Sequence, residues 1–433
     1  MADATTLEDW LARLERQHPV AIDMGLERVT AVAARLGLKA RALAGRVITV
    51  AGTNGKGSTV AMLDALAREH GWRSAAYTSP HLQRYNERLC FDGQEVDDAS
   101  LIEAFEAVDT ARLADEEVSL TYFEVGTLAA LWLIARQQPD IALLEVGLGG
   151  RLDAVNVIDP DVAVVTTVAQ DHAAFLGTHL ETIGQEKAGI IRSERPAVLG
   201  STALPASVRQ HAESLAAPVF ALGEHFGWHA AADGWQWHGE HATGEVLSLH
   251  GLPALSLPLD NAATALQALT LAGMSLEEPA CQRAFGRAAL AGRLQWQGPW
   301  CLDVGHNPHA AAYVATYLAQ RPPRGRRFCL LGMLADKDAK GVIEALAPQV
   351  DAWVPVSLSG DRARDAEQLA SFLKACDAQV LHCAASPDAG VRWLHANMDN
   401  GDEVLVCGSF WTVAEALATL EILGVMASPR SVS

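Results

Sequence analysis

Positive charge is in short supply. The 433-residue chain holds 33 lysines and arginines against 52 aspartates and glutamates, a formal charge of −19. A nucleic-acid groove needs a clustered basic footprint, and this deficit argues against one. Small anions remain compatible, because a site needs only local positive charge. Long apolar runs are missing too: no stretch approaches the roughly 18–20 uninterrupted apolar residues of a membrane span. The opening MADATTLEDW carries acids and polar residues where a secretory signal would begin with basic residues and a continuous apolar stretch. The seven cysteines, at 90, 281, 301, 329, 376, 383 and 407, are odd in number and scattered, with no CxxC pair. Neither a disulfide framework nor a structural zinc site is indicated. The expectation is a cytoplasmic chain with no membrane and no nucleic-acid partner.

Apolar residues, by contrast, make up half the chain, and only 20% are charged. That composition suits packed cores, and the length suggests two or three domains. Leu7, Trp10, Leu11 and Leu14 follow the spacing of one buried helix face. From Val47 the pattern changes to short branched runs separated by helical stretches: Val47–Val50, Ile141–Val146 and Val162–Val168. Such runs read as buried parallel strands of a doubly wound α/β sheet. Ligands collect at the carboxyl ends of such strands. Residues 218–258 break the rhythm with three tryptophans and five histidines. Trp235 and Trp237 alternate with Gln236 and His238 after an Asp-Gly turn signal, which predicts a small β subdomain rather than a metal cluster. Strand-like runs then return at Trp300–Val304, Phe328–Met333, Trp353–Val356, Val380–His382 and Glu403–Cys407, with helices at Gly341–Leu346 and Val413–Leu420. The polar, Gly/Pro-containing QWQGP suggests a boundary near 294–299. Two domains are expected, 1–294 and a smaller α/β domain 295–433.

The strongest single motif is Gly52-Thr53-Asn54-Gly55-Lys56-Gly57-Ser58, between a buried strand and a helix carrying Val60, Met62, Leu63 and Leu66. Glycines let backbone N–H groups turn inward around a phosphate, and the helix N-terminus adds a favourable dipole. Lys56 then reaches the terminal phosphates, with the Ser58 hydroxyl close to magnesium. The loop departs from the usual pattern, because Gly57 intrudes between lysine and serine.

That departure resembles the Mur-ligase superfamily, and within it the folylpolyglutamate synthases. Further segments match in family order: Tyr77-Thr78-Ser79-Pro80-His81-Leu82, Asn86-Glu87-Arg88, Thr121-Tyr122-Phe123-Glu124, the run from Glu145 to Asp153, Asp171-His172, Glu186-Lys187-Ala188-Gly189, Asp260-Asn261-Ala262-Ala263, Gly292-Arg293-Leu294 and the run from Asp303 to Pro308. The fold so implied is a P-loop-type doubly wound ATPase domain with a small β subdomain, followed by a smaller Rossmann-like α/β domain. The activity implied is ATP-dependent joining of L-glutamate to dihydropteroate and to folate glutamates through an acyl phosphate, inside two closing domains that exclude water. Alternatives are a folate polyglutamylating enzyme alone, a Mur-type ligase acting on a cell-wall precursor, or a non-catalytic nucleotide-binding protein. Gly57 and the SPHL segment disfavour the cell-wall reading.

The resemblance also implies site residues. ATP and two magnesium ions are implied, with room for a monovalent cation, on a monomeric enzyme. Metal positions match Ser58, Ser79, Glu145, His172 and Lys187, and Lys187 matches a lysine that the family carbamylates. Lys56, His172 and Lys187 take the catalytic positions. Asn261 matches an adenine-side asparagine, Arg293 an interdomain phosphate arginine, Asp303 a ribose-binding aspartate and His306 a nucleotide-contacting histidine. For the pterin-bearing substrate, Asp23 and Arg28 lie in the matching segment Ala21–Arg28. Phe123 offers a flat apolar face, and Asp153 a carboxylate for ring nitrogens. The segment Gly332–Asp338 resembles the region near the incoming glutamate. Read alone, several of these residues have ordinary alternatives. Glu145 could pair with Arg151, Asn261 could cap a helix, Arg293 could be a surface charge, Phe123 could be core and Lys187 could be an exposed helical lysine.

Overall fold

The computed structural model describes residues 6–20, 22–38, 43–232, 234–360 and 362–425. Ala21, Asp233 and the first five residues of the opening segment lie outside them. The chain divides into two compact units between Ala288 and Ala289. The polar QWQGP piece is no linker. Gln295–Gln297 is a strand, and Gly298, at φ +56°, turns it back onto the next one.

Unit 1 is built on strands β1 (Arg46–Ala51), β2 (Ser74–Tyr77), β3 (Leu89–Phe91), β4 (Gln94–Glu95), β5 (Ile141–Glu145), β6 (Val162–Val165), β7 (Ala197–Leu199) and β8 (Val219–Ala221). Their order across the sheet is β4-β3-β2-β5-β1-β6-β7-β8. From β2 to β8 all pairings are parallel, and β3 and β4 add an antiparallel edge. The branched residues of β1, β5 and β6 are fully buried, as a central strand covered by helices on both faces demands. The chain runs from β1 to β2, fills the space between them with β5, then crosses to the other side of β1 with β6. This reversal opens a crevice at the carboxyl ends of β5, β1 and β6. β6 stops at Val165, three residues short of the run in the sequence. Thr166 and Thr167 turn out of the sheet to give their hydroxyls to the Asn54 carbonyl.

The tryptophan-rich segment is a three-stranded antiparallel sheet of β9 (Gly227–Ala231), β10 (Gly234–Glu240) and β11 (Val246–Leu252). Trp235 and Trp237 face inward, each 1% exposed. Their indole N–H groups donate to the carbonyls of Pro253 and Ala263.

Unit 2 holds β12 (Gln295–Gln297), β13 (Trp300–Asp303), β14 (Arg327–Leu331), β15 (Ala352–Pro355) and β16 (Glu403–Cys407), in the order β12-β13-β16-β14-β15. Apart from β12 it is parallel. The strand expected at Val380–His382 does not form. Leu381 donates to Trp353 and Ala384 to Pro355, but Pro355 has no N–H to return, so only isolated bridges remain. Among the described residues no helix is long and apolar enough to cross a membrane.

Candidate active site

The loop after β1 is the anchor. Gly55 has φ +89°, a left-handed conformation that starts the helix Lys56–Glu69 abruptly. The intruding Gly57 is absorbed into its first turn. A Cβ on Gly52 would lie 1.9 Å from the Thr166 hydroxyl, so only glycine lets the loop pass this close to the end of β6. Thr53 N–H donates to the Thr167 carbonyl at 2.8 Å, and the Thr53 hydroxyl donates to Ala169 O at 3.1 Å. The Asn54 amide donates to the Thr167 hydroxyl at 3.0 Å. Lys56 folds its ammonium back over the loop, onto the carbonyls of Gly52 (3.1 Å) and Thr53 (3.3 Å). Ser58 Oγ donates to Gly55 O and accepts from the Asn261 amide at 2.8 Å, which leaves one acceptor lone pair. Asn261, expected on the adenine side, therefore lies buried beneath the phosphate loop, on the helix Leu259–Leu271.

The loops after β2, β5 and β6 close around this anchor. Glu145 ends β5, is 5% exposed, and its Oε2 accepts from the Ser79 amide at 3.2 Å. Arg151 is not its partner: the guanidinium sits on Glu186, 2.8 Å away. A pocket in unit 1 is lined by Gly52, Thr53, Lys56, Gly147, Leu148, Gly149, Asp171, His172, Leu176 and Lys187. Lys187 is not an exposed helical lysine; it is 3% exposed. Burial, and then the charge of Lys56, pull its pKa down to about 7, against the opposing pull of Asp171 and Asp153. His172 adopts φ +50° just before the short helix Ala173–Leu176, and its backbone N–H donates to the Asp171 carboxylate. Asp153 is 5% exposed, and its two oxygens accept the amides of Leu148 (2.8 Å) and Val155 (3.0 Å). Burial pushes its pKa up to about 6, held back by those amides, that of Gly147 and Lys56.

Phe123 is partly buried against the hydrophobic core and lies against the loop after β5. A Cβ on Gly147 would meet its ring at 2.5 Å, and its ring centre is 6.5 Å from that of Tyr77. Met24 and Leu176 both reach Gly149, which brings the 22–28 segment to the same rim. Arg28 ties that segment down, with ion pairs to Asp23 (2.8 Å) and to buried Glu124 (2.9 Å). Glu124 also accepts the Thr121 amide in a capping box at the start of the helix Tyr122–Gln137. Glu124 had no assigned role in the sequence, and its partner lies 96 residues away. Asp171 likewise had no assigned role, only its place beside His172.

In unit 2 the loop after β13 gathers Arg293, Asp303 and His306. Asp303 is 4% exposed and accepts the amides of Leu294 (3.0 Å) and Gly305 (2.7 Å). Burial raises its pKa, against the pull of Arg293, these amides and His306. Arg293 lies 5.9 Å from the ring centre of Phe410, and His306 6.4 Å from it. Phe410 opens the helix after β16 and was not visible as a site residue. In the 332–338 segment, Asp336 pairs with Arg362 at 2.8 Å, and Arg364 donates to the carbonyls of Ala335 and Lys337.

Comparison with known proteins matches this geometry to family models and relatives. The Mur ligase middle domain matches residues 50–224, and the Mur ligase glutamate ligase domain residues 286–410. A dihydrofolate synthase/folylpolyglutamate synthase of Escherichia coli is 42% identical over 96% of each chain. Its counterpart in Haemophilus influenzae is 38% identical over 96% of this chain and 98% of that one. An E. coli structure containing DHPP and ADP superposes with a TM-score of 0.90 at 41% identity, covering 97% of this chain and 99% of that one. A bifunctional folylpolyglutamate synthase/dihydrofolate synthase structure with Mn, AMPPNP and L-glutamate bound gives 0.86 at 41% identity, over 96% and 98%. With its loop, its two domain models and this near-complete overlap, the chain belongs to the dihydrofolate synthase/folylpolyglutamate synthase family of Mur ligases.

Proposed function

We propose that this chain joins L-glutamate to dihydropteroate, giving dihydrofolate, and to folate glutamates, giving polyglutamates, at the expense of ATP. The observation that carries this reading is the pocket at the carboxyl edge of the unit 1 sheet. There a phosphate-type loop, a lysine with its pKa near 7 and the flanking loops of β5 and β6 converge.

A free carboxylate is a poor acyl donor, because its charge repels nucleophiles and its oxygen leaves badly. Phosphorylation by ATP gives an acyl phosphate with a good leaving group. The glutamate amine attacks it, and phosphate departs from the tetrahedral intermediate. The protein's tasks are positioning and electrostatics. Lys56 and the loop amides hold the phosphates, and Asn261 keeps Ser58 in place beneath them. Phe123 and Asp153 hold the pterin, with Asp23 and Arg28 shaping the segment above it. In unit 2, Arg293, Asp303 and His306 are assigned to the nucleotide, and 332–338 to the region of the incoming glutamate.

The residues suit a hard divalent cation such as magnesium. Among the described residues no three His, Cys, Asp or Glu side chains form a complete metal cage, and magnesium, which keeps several waters, needs only one or two carboxylates beside the substrate phosphates. Glu145, Ser79 and Ser58 would hold one ion, His172 and Lys187 a second. A bound magnesium would neutralise charge developing on the transferred phosphoryl group. Lys187 suits the second position only as a carbamate, because an ammonium repels a cation. Its lowered pKa supports that modification, since only the neutral amine attacks CO₂.

The test is ADP release by the purified protein with glutamate and either dihydropteroate or a folate monoglutamate. Release with both acceptors is expected. Release with folate alone would leave a polyglutamylating enzyme, and release with neither would overturn the reading.

A further inference from the structure

Arg88 is 9% exposed, yet among the described residues no carboxylate pairs with it. Burying a guanidinium without a counter-ion is expensive. Its Nε donates to His81 Nδ1 at 2.9 Å, and its guanidinium carbon lies 5.1 Å from the Tyr85 ring centre and 5.6 Å from that of Tyr122. The two aromatic faces recover only part of the cost. Glu87, its chain neighbour, is committed elsewhere: its oxygens accept the amides of Leu82 (2.6 Å), Gln83 (2.7 Å) and Arg84 (2.6 Å). His81 offers no negative charge either. Its Nδ1 accepts the Arg88 N–H, so the ring meets the guanidinium as a neutral acceptor.

The backbone at Arg88 adjoins the segment that meets Glu145. The Arg88 carbonyl accepts the Thr78 amide at 2.9 Å, one residue before Ser79, whose own amide caps Glu145. Tyr122, one of the flanking rings, opens the helix that also carries Phe123. A cation prepared in this way and left without an internal anion is a binding group for an external one.

We infer that Arg88, oriented by His81 and framed by Tyr85 and Tyr122, binds the non-reacting carboxylate of a glutamylated folate. The inference rests on the proposed ligase activity and deepens it. Dihydropteroate has a single carboxylate, which must react. A folate glutamate has two, and the second needs a cation. Arg88 is thus a specificity residue for chain extension, and His81 is its positioning residue.

The test compares folate monoglutamate with the folate monoamide that keeps only its reacting carboxylate, and both with dihydropteroate. In the parent protein the monoamide KM should exceed that of the diacid at least about tenfold, the size of one charged hydrogen bond. Arg88→Gln should raise the diacid KM towards the monoamide value, and so raise the folate-to-dihydropteroate KM ratio by a similar factor. His81→Ala should shift the same KM less, and His81→Gln, whose amide oxygen can accept from Nε, should restore it. A kcat-only loss in His81→Ala would go against positioning. Equal KM values for diacid and monoamide in the parent would overturn the inference without any variant, so misfolding of Arg88→Gln cannot shelter it. A rise in the KM for L-glutamate instead would assign the cation to the incoming amino acid and overturn it too. Ligation of neither acceptor would remove the ligase reading itself.

Discussion

Lys187 carries the sharpest chemical consequence at the scale of single residues. An ordinary lysine stays protonated to well above neutrality, but this one has a pKa of about 7 in the folded chain. Above that pH it is mainly a neutral amine that can take up CO₂; below it the ammonium form prevails and the proposed carbamate would be lost. Carbamate occupancy and ligation are therefore expected to fall together as pH drops through about 7, and to fall at constant pH when CO₂ is stripped. Carbon-13 NMR with labelled bicarbonate reads the first, ADP release the second, and activity indifferent to CO₂ would remove the modification. Glu145 makes a separate case. Glu145→Gln keeps an oxygen that can accept the Ser79 amide but loses the charge. Half-maximal activity should then require at least about tenfold more magnesium, because hard cations depend on anionic oxygen. The melting curve should stay near that of the parent. A purely structural glutamate would give the reverse: lower stability with an unchanged magnesium titration.

Between elements, the decisive contact is the docking of the 147–153 loop on the helix Leu180–Ala188. The Arg151 amide donates to Glu186 O at 2.8 Å, and the Arg151 side chain returns to the Glu186 carboxylate. Gly150 sits in this seam, and a Cβ there would lie 2.8 Å from Glu186 O and 3.0 Å from Lys187 O. Both neighbours are backbone, so neither can swing away. Gly150→Ala is expected to cost about 1–3 kcal/mol of stability and to displace Lys187, lowering carbamate occupancy along with the melting temperature. Full occupancy at a parental melting temperature would mean that the loop and helix are not coupled. This seam was only half legible in the sequence. The glycine-rich run after a strand marked a ligand loop, but nothing local said which helix it would rest on.

At the scale of the whole molecule, each unit has its own sheet and its own buried core. Calorimetry of the intact chain is expected to resolve more than one component. Magnesium-ATP at a hundred times its Kd should stabilise the unit that holds the phosphate loop by about 2.7 kcal/mol. A single transition indifferent to nucleotide would go against both statements. Much of this architecture could be read from the chain alone. Short branched runs ending in small or polar residues placed β1, β5 and β6 and their loops, because strand burial and loop chemistry are decided within about ten neighbouring residues. The failure at Val380–His382 comes from outside that range, since Pro355 withholds one hydrogen bond from the edge of β15. The pairings were beyond that range. Arg28 meets Glu124 across 96 residues, and Asn261 meets Ser58 across 203. Arg151 turns to Glu186 rather than Glu145. Lys187 is buried against the charge of Lys56 instead of facing water. These depend on strand order and on which helix covers which face. The sequence determined that there would be a phosphate loop with acids and a lysine to follow, and only the tertiary structure decided their charges, because a pKa is set by neighbours that the chain brings together last.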